Sequence, residues 1–596
     1  MRDYPEQERG KRLNRGFGRS RFFPAAAVIA AILLLMQVPA CAAEYNHAYP
    51  AAITKKGLYV CPGMEEDAVD LGIQHATINL SVNDFMPAEA YRSETYSIPF
   101  EYEGTTYWFA KDAVGRYDEE LLRLAQNKVL VTAILLLPYR SDDMQYLIYP
   151  PALGKSANYY QWNMTDENAV RALRAIVTFF QRRYAGPSGA RIVGWIVGNE
   201  VNNSGVWNWA GEVGIDTYVD VYAEQVAQVY RAARQVYKYA RIYMCLDHYW
   251  TAANGSYWYP GKEILTRFAK RMSARGLGNG TWCIAYHPYN ISQYEPNIIS
   301  NSAAVTNKAD TRIITMKNLK VLTDYVKKKY TKKCRVILSE QGYSSVTAGR
   351  DTSKEQARNI ALAYYIAQQN SMVDALILHR QVDHTGEGEK YGLYTSWGLE
   401  NAAYKKPSWT AYKYADTTKT NSYTTYAAKK AKTLSGKSVK KLYTVSNGKL
   451  SPIRNLSWKK TYTGGFKAYG ALSGFQYEKG VYTLTHDYAR NANVPWGIIR
   501  KGKINCKTCS KFGFGIYVNS SVSGSAVVYL RLWSGSKHYF DASATIPCAV
   551  PHSLYVDLKK WKKRGKITKV EIYIRPSGSG WTGETAAQIH SIGIRK

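Results

Sequence analysis

Acidic side chains are scarce in this chain: 46 Asp and Glu stand against 79 Lys and Arg in 596 residues, a formal net charge of +33. The imbalance is concentrated at one end. Residues 420–596 contain 30 Lys and Arg against 6 Asp and Glu, so +24 of the +33 lies there. A positive field of that reach favours anionic partners such as nucleic acid, anionic lipid or acidic wall polymers. The sequence has no zinc-finger spacing, no RNP-like run and no basic heptad, which sets nucleic acid aside. It has ten histidines but no pair at i, i+4 or H-x-H spacing near the strand ends described below. Neither a metal site nor any cofactor is therefore expected. Phenylalanine is also scarce, 14 against 50 tyrosines. Tyrosine joins an apolar ring to a hydrogen-bonding tip, which suits polar ligands such as sugars; a plain compositional habit is the alternative. With 46% hydrophobic residues there is material for large cores, and the length allows roughly two to four domains.

Residues 1–21 are polar and basic, 22–38 are almost unbroken apolar, and Ala40-Cys41-Ala42-Ala43 follows. A basic region, an apolar run and an A-x-A site (Ala40, Ala42) read as a secretory signal peptide over 1–43. An uncleaved membrane anchor and lipid attachment at Cys41 are the alternatives; each puts the rest of the chain outside the cytoplasm, secreted or at the cell surface. Eight cysteines in an exported chain suggest disulfides. Cys61, Cys245, Cys283 and Cys334, however, fall in or beside expected barrel strands, where a buried thiol acts as a small hydrophobe. Cys506 and Cys509 have CxxC spacing with Cys548 beyond, which reads as a local disulfide or as thiols, since a metal would lack a fourth ligand.

Over 55–415, short apolar runs alternate with longer amphipathic ones, as repeated βα units should. Strands are expected at 58–60, 76–80, 129–137, 192–197, 242–246, 282–286, 336–339 and 375–378. Helices are expected at 167–184, 218–239, 262–275, 313–330 and 353–369. Eight strands in about 360 residues fit a (β/α)8 TIM barrel with insertions. One insertion, 97–109, reads as a hairpin turning at Glu103-Gly104. Residues 416–441, rich in Thr, Ser, Tyr and Lys, read as a linker. Short alternating strands and Gly/Ser turns over 442–596 then read as an antiparallel jelly-roll-like β-sandwich. The fold class is thus α/β, a barrel followed by an all-β domain.

The chemistry lies at the ends of the barrel strands. The run Ile192 to Val197 stops on Asn199-Glu200, and Val336 to Ser339 stops on Glu340-Gln341. The fifth strand ends in Asp247-His248-Tyr249-Trp250, the sixth in His287-Pro288-Tyr289, and the eighth in His379-Arg380. Barrel enzymes build their sites from these ends. The fourth and seventh strands lie three steps apart around an eight-stranded barrel, so Glu200 and Glu340 face one substrate from two sides. One carboxyl to protonate a departing oxygen and another to attack or to activate water is what glycosidic cleavage needs.

Asn-Glu on the fourth strand and Glu on the seventh resemble the large clan of retaining glycosidases with (β/α)8 barrels, over roughly 55–415. The resemblance implies Glu200 as acid/base, Glu340 as nucleophile, and Asn199 on a sugar 2-hydroxyl. His287-Pro288-Tyr289 resembles the clan's His-x-Tyr beside the nucleophile. Asp247, His248, Trp250, His379, Arg380 and Trp397 complete the expected substrate contacts. Trp250 or Trp397 would stand in for the clan's Trp on strand eight, where this chain has His379-Arg380, and Arg380 would meet a substrate carboxylate or phosphate. Arg140 is the nearest substitute for the clan's arginine near strand two. The last domain resembles carbohydrate-binding modules, with Trp496, Trp533, Trp561 and Trp581 as either stacking platforms or core. The expected partners are a poly- or oligosaccharide substrate and, through the basic domain, an anionic wall polymer, with no nucleic acid and no membrane contact beyond an anchor. A non-catalytic glycan-binding barrel and a surface adhesin are the rival readings.

Overall fold

A computed structural model describes residues 45–596, apart from 187–191, 301, 396–403, 455–456, 471, 489–493, 521–523, 578–580 and 582. The expected signal segment and Trp397 lie outside the described residues. Residues 45–596 form one compact unit. Its first part is a closed barrel of eight strands: β1 (Lys56–Tyr59), β2 (His75–Ser81), β3 (Leu130–Leu136), β4 (Ile192–Val197), β5 (Arg241–Leu246), β6 (Cys283–Tyr286), β7 (Val336–Gln341) and β8 (Val373–Leu378). Neighbours in sequence are neighbours in space, β8 closes on β1, and every pair is parallel. Residues such as those of β4 (IVGWIV), buried along their whole length, meet the lumen on one face and the helical ring on the other. Ile134, Ile196, Cys245, Ile337 and Ile377 pack together in the lumen, so Cys245 and Cys283 do serve as small core residues there.

The amphipathic helices Glu167–Tyr184 and Ser353–Gln369 have the bounds their 3.6-residue periodicity predicts. The expected helix at 313–330 is shorter, a 3-10 turn Met316–Asn318 leading into Lys320–Lys329. The hairpin pairs Ser97–Tyr102 with Thr105–Ala110 and turns on Glu103 (φ 47°) and Gly104 (φ 76°), the two left-handed residues that a type I′ turn requires.

Residues 416–441 are not an extended linker. They contain a 14-residue helix, Ser422–Ser435, started by a capping box between Asn421 and Thr424 and ended by Gly436 in the left-handed conformation at φ 70°. Only a thin stripe of small residues, Ala427 and Ala431, is apolar and buried, with Thr424 beside it. Alanine contributes little to a hydrophobic pattern, which is why the composition reads as linker. The segment is tied to the barrel's last helices by Gln368 Nε2 donating to Lys440 O (3.0 Å) and Gln369 Nε2 to Lys437 O (2.8 Å).

Beyond it stand two facing β-sheets, one of six strands and one of seven among the described residues. The pairing is antiparallel except that Thr444–Lys449 runs parallel to His538–Pro547. Strands that the sequence pattern predicts at 480–486, 512–518, 526–533, 553–558, 567–575 and 588–594 are present, and Trp496–Ile504 and His538–Pro547 are the longest of seven additional ones among the described residues. Trp496, Trp561 and Trp581 belong to the core between the sheets. Trp533 donates to Glu571 Oε2 at 2.9 Å under the Lys569 ammonium. None of the four is an open stacking platform. Cys506, Cys509 and Cys548 are thiols. Among the described residues no helix is long and apolar enough to cross a membrane.

Candidate active site

The barrel mouth opens into a cavity of about 680 Å³ whose lining includes Asn199, Glu200, Asp247, His248, Tyr289, Glu340, His379 and Arg380. Each comes from the C-terminal end of a strand, where parallel packing leaves the backbone to turn outward. The turn after β4 is tight. Gly198 has φ 73°, and a Cβ there would lie 3.1 Å from Val201 Cγ1. Glu200 itself sits at φ 36°. A non-glycine residue held there costs about 1–3 kcal/mol, which surrounding bonds must offset. Val201 N donating to Cys245 O (3.0 Å) and Asn203 N to Glu200 O (2.7 Å) fix the turn and aim the carboxyl inward.

His287, at 1% side-chain exposure, joins the two glutamates. Its Nδ1 lies 2.8 Å from Glu200 Oε1 and 3.7 Å from Glu340 Oε2. Those two legs cap the separation of the two carboxylate oxygens at 6.5 Å. The other ring nitrogen lies 3.0 Å from Ser339 Oγ and 3.3 Å from Cys245 Sγ. Burial works against a charge on His287. Cys245, Glu340 and the hydrogen bond to Glu200 reverse that effect and leave its pKa well above the ordinary histidine value. Tyr289 OH donates to Glu340 Oε2 at 3.3 Å, and burial followed by the charge of Glu340 pushes the phenol up.

Asp247 is buried and receives Asn202 Nδ2 (2.5 Å), Trp258 Nε1 (2.6 Å) and the Tyr249 amide (2.8 Å). Burial and then the neighbouring charge of Glu200 push its carboxyl up to about 7. An unfolded aspartate ionises near ~3.9, so between that pH and about 7 the folded state holds a proton that the unfolded state has lost. Stability therefore falls as pH rises across that interval. Asp247→Asn is expected to remove that slope, as denaturant midpoints at pH 4, 5, 6 and 7 would register. His248 is the opposite case. Burial and then the positive His287 lower it to about 4, so it stays neutral, and its Nε2 has no hydrogen-bond partner among the described residues.

Three expectations need correction. Trp250 does not enter the cavity: it is fully buried, donates toward Ala309 O at 3.4 Å and meets Tyr325 edge-on. Aromatic walls come instead from Trp207, Trp258, Tyr159 and Tyr391. Arg380 lines the cavity but is not free for a substrate anion, because Nη2 pairs with Glu387 Oε1 at 3.0 Å. His379 Nε2 lies 3.3 Å from the same oxygen. Arg140 is engaged with Asp142 and Met86 O, away from the cavity. Glu387 and Glu389, in the loop after β8, are lining residues that the strand-end pattern does not reach. Among the described residues no group of three His, Cys, Asp or Glu side chains is placed to hold a metal ion.

Residues 48–439 match the model of DUF5722, a family of unknown function. The chain belongs to that family. The match runs through the helix Ser422–Ser435 and stops before the sandwich. Among solved structures, this DUF5722 chain is similar to a β-glucosidase from Pyrococcus furiosus (14% identity, 59% of this chain and 82% of that one, TM-score 0.38). It is similar also to a family 1 β-glucosidase from Thermotoga maritima (12%, 59% and 84%, 0.37). A glucosidase from Croceicoccus marinus aligns over more of it (10%, 91% and 96%, 0.39). No curated protein matches. These likenesses concern the fold alone, and the chemistry rests on the rim residues.

Proposed function

We propose that this chain is a secreted glycoside hydrolase that cleaves β-glycosidic bonds of a poly- or oligosaccharide with retention of configuration. Glu340 attacks the anomeric carbon while Glu200 gives its proton to the departing oxygen; Glu200 then takes a proton from the water that displaces Glu340. The observation that carries the reading is the His287 bridge, which holds a Glu200 and a Glu340 oxygen within 6.5 Å. Retaining pairs stand about 5–5.5 Å apart, whereas inverting pairs stand about 6.5–9.5 Å apart to admit a water. Tyr289 supports the role of Glu340 by hydrogen-bonding the attacking carboxylate, and Asn199 stands next to Glu200 where a sugar hydroxyl would lie. The apolar N-terminal segment supplies export. The basic sandwich, by its charge alone, suits attachment to an anionic wall polymer.

The test is a panel of aryl β-glycosides and soluble polysaccharides, followed by NMR of the first product formed from whichever is cleaved. A β-anomer appearing before mutarotation is the expected result. An α-anomer would replace retention by inversion, and binding without cleavage across the whole panel would replace the enzyme by a glycan-binding protein.

A further inference from the structure

The mouth cavity carries a charge pattern that restricts the glycan it can hold. Arg380 is the one Lys or Arg in its lining among the described residues, against the carboxyls of Glu200, Asp247, Glu340, Glu387 and Glu389. Asn79, Asn199, Asn203 and Gln293 add donors and acceptors without charge. The charge of His287 is enclosed between Glu200 and Glu340, at 1% side-chain exposure, and is not open to a ligand.

Arg380 is masked on two sides. Its Nη2 pairs with Glu387 Oε1 at 3.0 Å, and its guanidinium lies over the ring of Tyr59, 5.6 Å from the centroid. His379 Nε2 reaches the same Glu387 oxygen at 3.3 Å, and the His379 ring stacks on Tyr59 at 5.8 Å. Burial works to raise the Glu387 carboxyl, but His379 and then Arg380 outweigh it and hold the group below its ordinary value, so it is ionised at neutral pH. A substrate carboxylate meeting Arg380 would have to displace Glu387. That would leave Glu387 without its partner in a cavity that already holds four other carboxyls.

Resting on the glycosidase reading, we infer that Glu387 is a specificity-determining residue: by masking Arg380 it closes the site to anionic glycans, and the substrate class is an uncharged one. The barrel and the basic sandwich then serve different molecules. An anionic polymer held by the sandwich is a point of attachment, and the bond cleaved belongs to a neutral glycan. Long-range electrostatics works against this preference, because a chain of net charge +33 draws anionic sugars toward it. The discrimination has to come from short-range contacts inside the cavity.

The probes are nitrophenyl β-glycosides in matched pairs that differ only in a hydroxymethyl or a carboxylate at C5: glucoside and glucuronide, galactoside and galacturonide. For whichever neutral member the full chain cleaves, kcat/KM should exceed that of its uronide at least about a thousandfold. Glu387→Gln frees the guanidinium, so the rate on the uronide should itself rise at least about tenfold. Adding Arg380→Met to that variant should cancel the gain. Glu389→Gln removes a rim charge without unmasking Arg380 and should change the uronide rate by no more than about twofold. Matched unfolding curves check each fold, and Arg380→Met alone, which leaves Glu387 without its partner, should widen the gap. Uronides cut as fast as their neutral counterparts, no gain in Glu387→Gln, or a gain that survives Arg380→Met would overturn the inference and leave the glycosidase reading standing. No cleavage of any pair would instead end both.

Discussion

Glu340→Gln is expected to lower kcat/KM on any cleaved glycoside by at least about four orders of magnitude, equivalent to more than roughly 5 kcal/mol of barrier. An amide cannot form the glycosyl ester, so the residual rate comes only from binding and from the protonating group. The substitution keeps size and shape at a side chain that is 23% exposed, and no packing is lost. Glu200→Gln should behave differently. General acid catalysis contributes about 10²–10⁴-fold, and the loss should shrink toward nothing for leaving groups acidic enough to depart unprotonated. A dinitrophenyl glycoside and an alkyl glycoside, compared on both variants, therefore separate the roles. A leaving-group dependence that appears in the Glu340 variant and not in the Glu200 variant would exchange the assignments. Removing the Glu340 charge also takes away one of the groups that hold the His287 imidazolium, so the pKa of that ring should fall in Glu340→Gln, as NMR titration would show.

The parts of this site that were legible in the sequence share a physical cause. β4 and β7 are buried on both faces, so their apolar runs are unbroken and the first polar residues after them, Asn199-Glu200 and Glu340-Gln341, mark the rim without ambiguity. What failed depends on chain returning from a distance. Trp250 sits within four residues of the end of β5 and was the natural candidate for a sugar platform, but it faces the helical layer; Trp258, farther along the same loop, comes back to cover Asp247. Arg380 looks like an anion receptor until the loop after β8 folds Glu387 onto it. The strand Trp496–Ile504 was missed because its second half, Arg500 to Lys503, is largely exposed and charged, with no alternation to read. The same limit applies to the basic field of the last domain. Arg531 and Arg575 count toward it in composition, yet both are buried against the barrel.

That burial underlies the second large effect expected here. Asp70, on the short helix Glu65–Asp70 after β1, accepts from Lys413 (2.8 Å) within the barrel and from Arg531 (2.9 Å) across to the sandwich. Three residues earlier, Asp67 accepts from Arg575 (2.9 Å), Tyr394 OH (2.7 Å) and Trp409 Nε1 (3.0 Å). Burial alone would raise the Asp70 pKa. Lys413, Arg531 and Arg575 overcome it and hold the carboxyl far below the usual range. Breaking a buried pair leaves its partners as uncompensated charges, so Asp70→Asn should cost about 3–5 kcal/mol. The sign of the pH dependence distinguishes this from lost packing. A carboxyl whose folded pKa is depressed contributes its stability above the unfolded value of about 3.9 and loses it as pH falls through the folded value. The gap between wild type and Asp70→Asn should therefore be full at neutral pH and narrow on acidification, whereas a packing defect would keep it constant. A double-mutant cycle with Arg531→Met should return a coupling well above the few tenths of a kcal/mol that separate, independent sites show. For the same reason a chain ending at 441 should not yield a folded barrel, because it would leave Asp67 and Asp70 buried without Arg575 and Arg531. Recovery of that fragment as a soluble, cooperatively unfolding protein would show that the two parts meet without depending on each other.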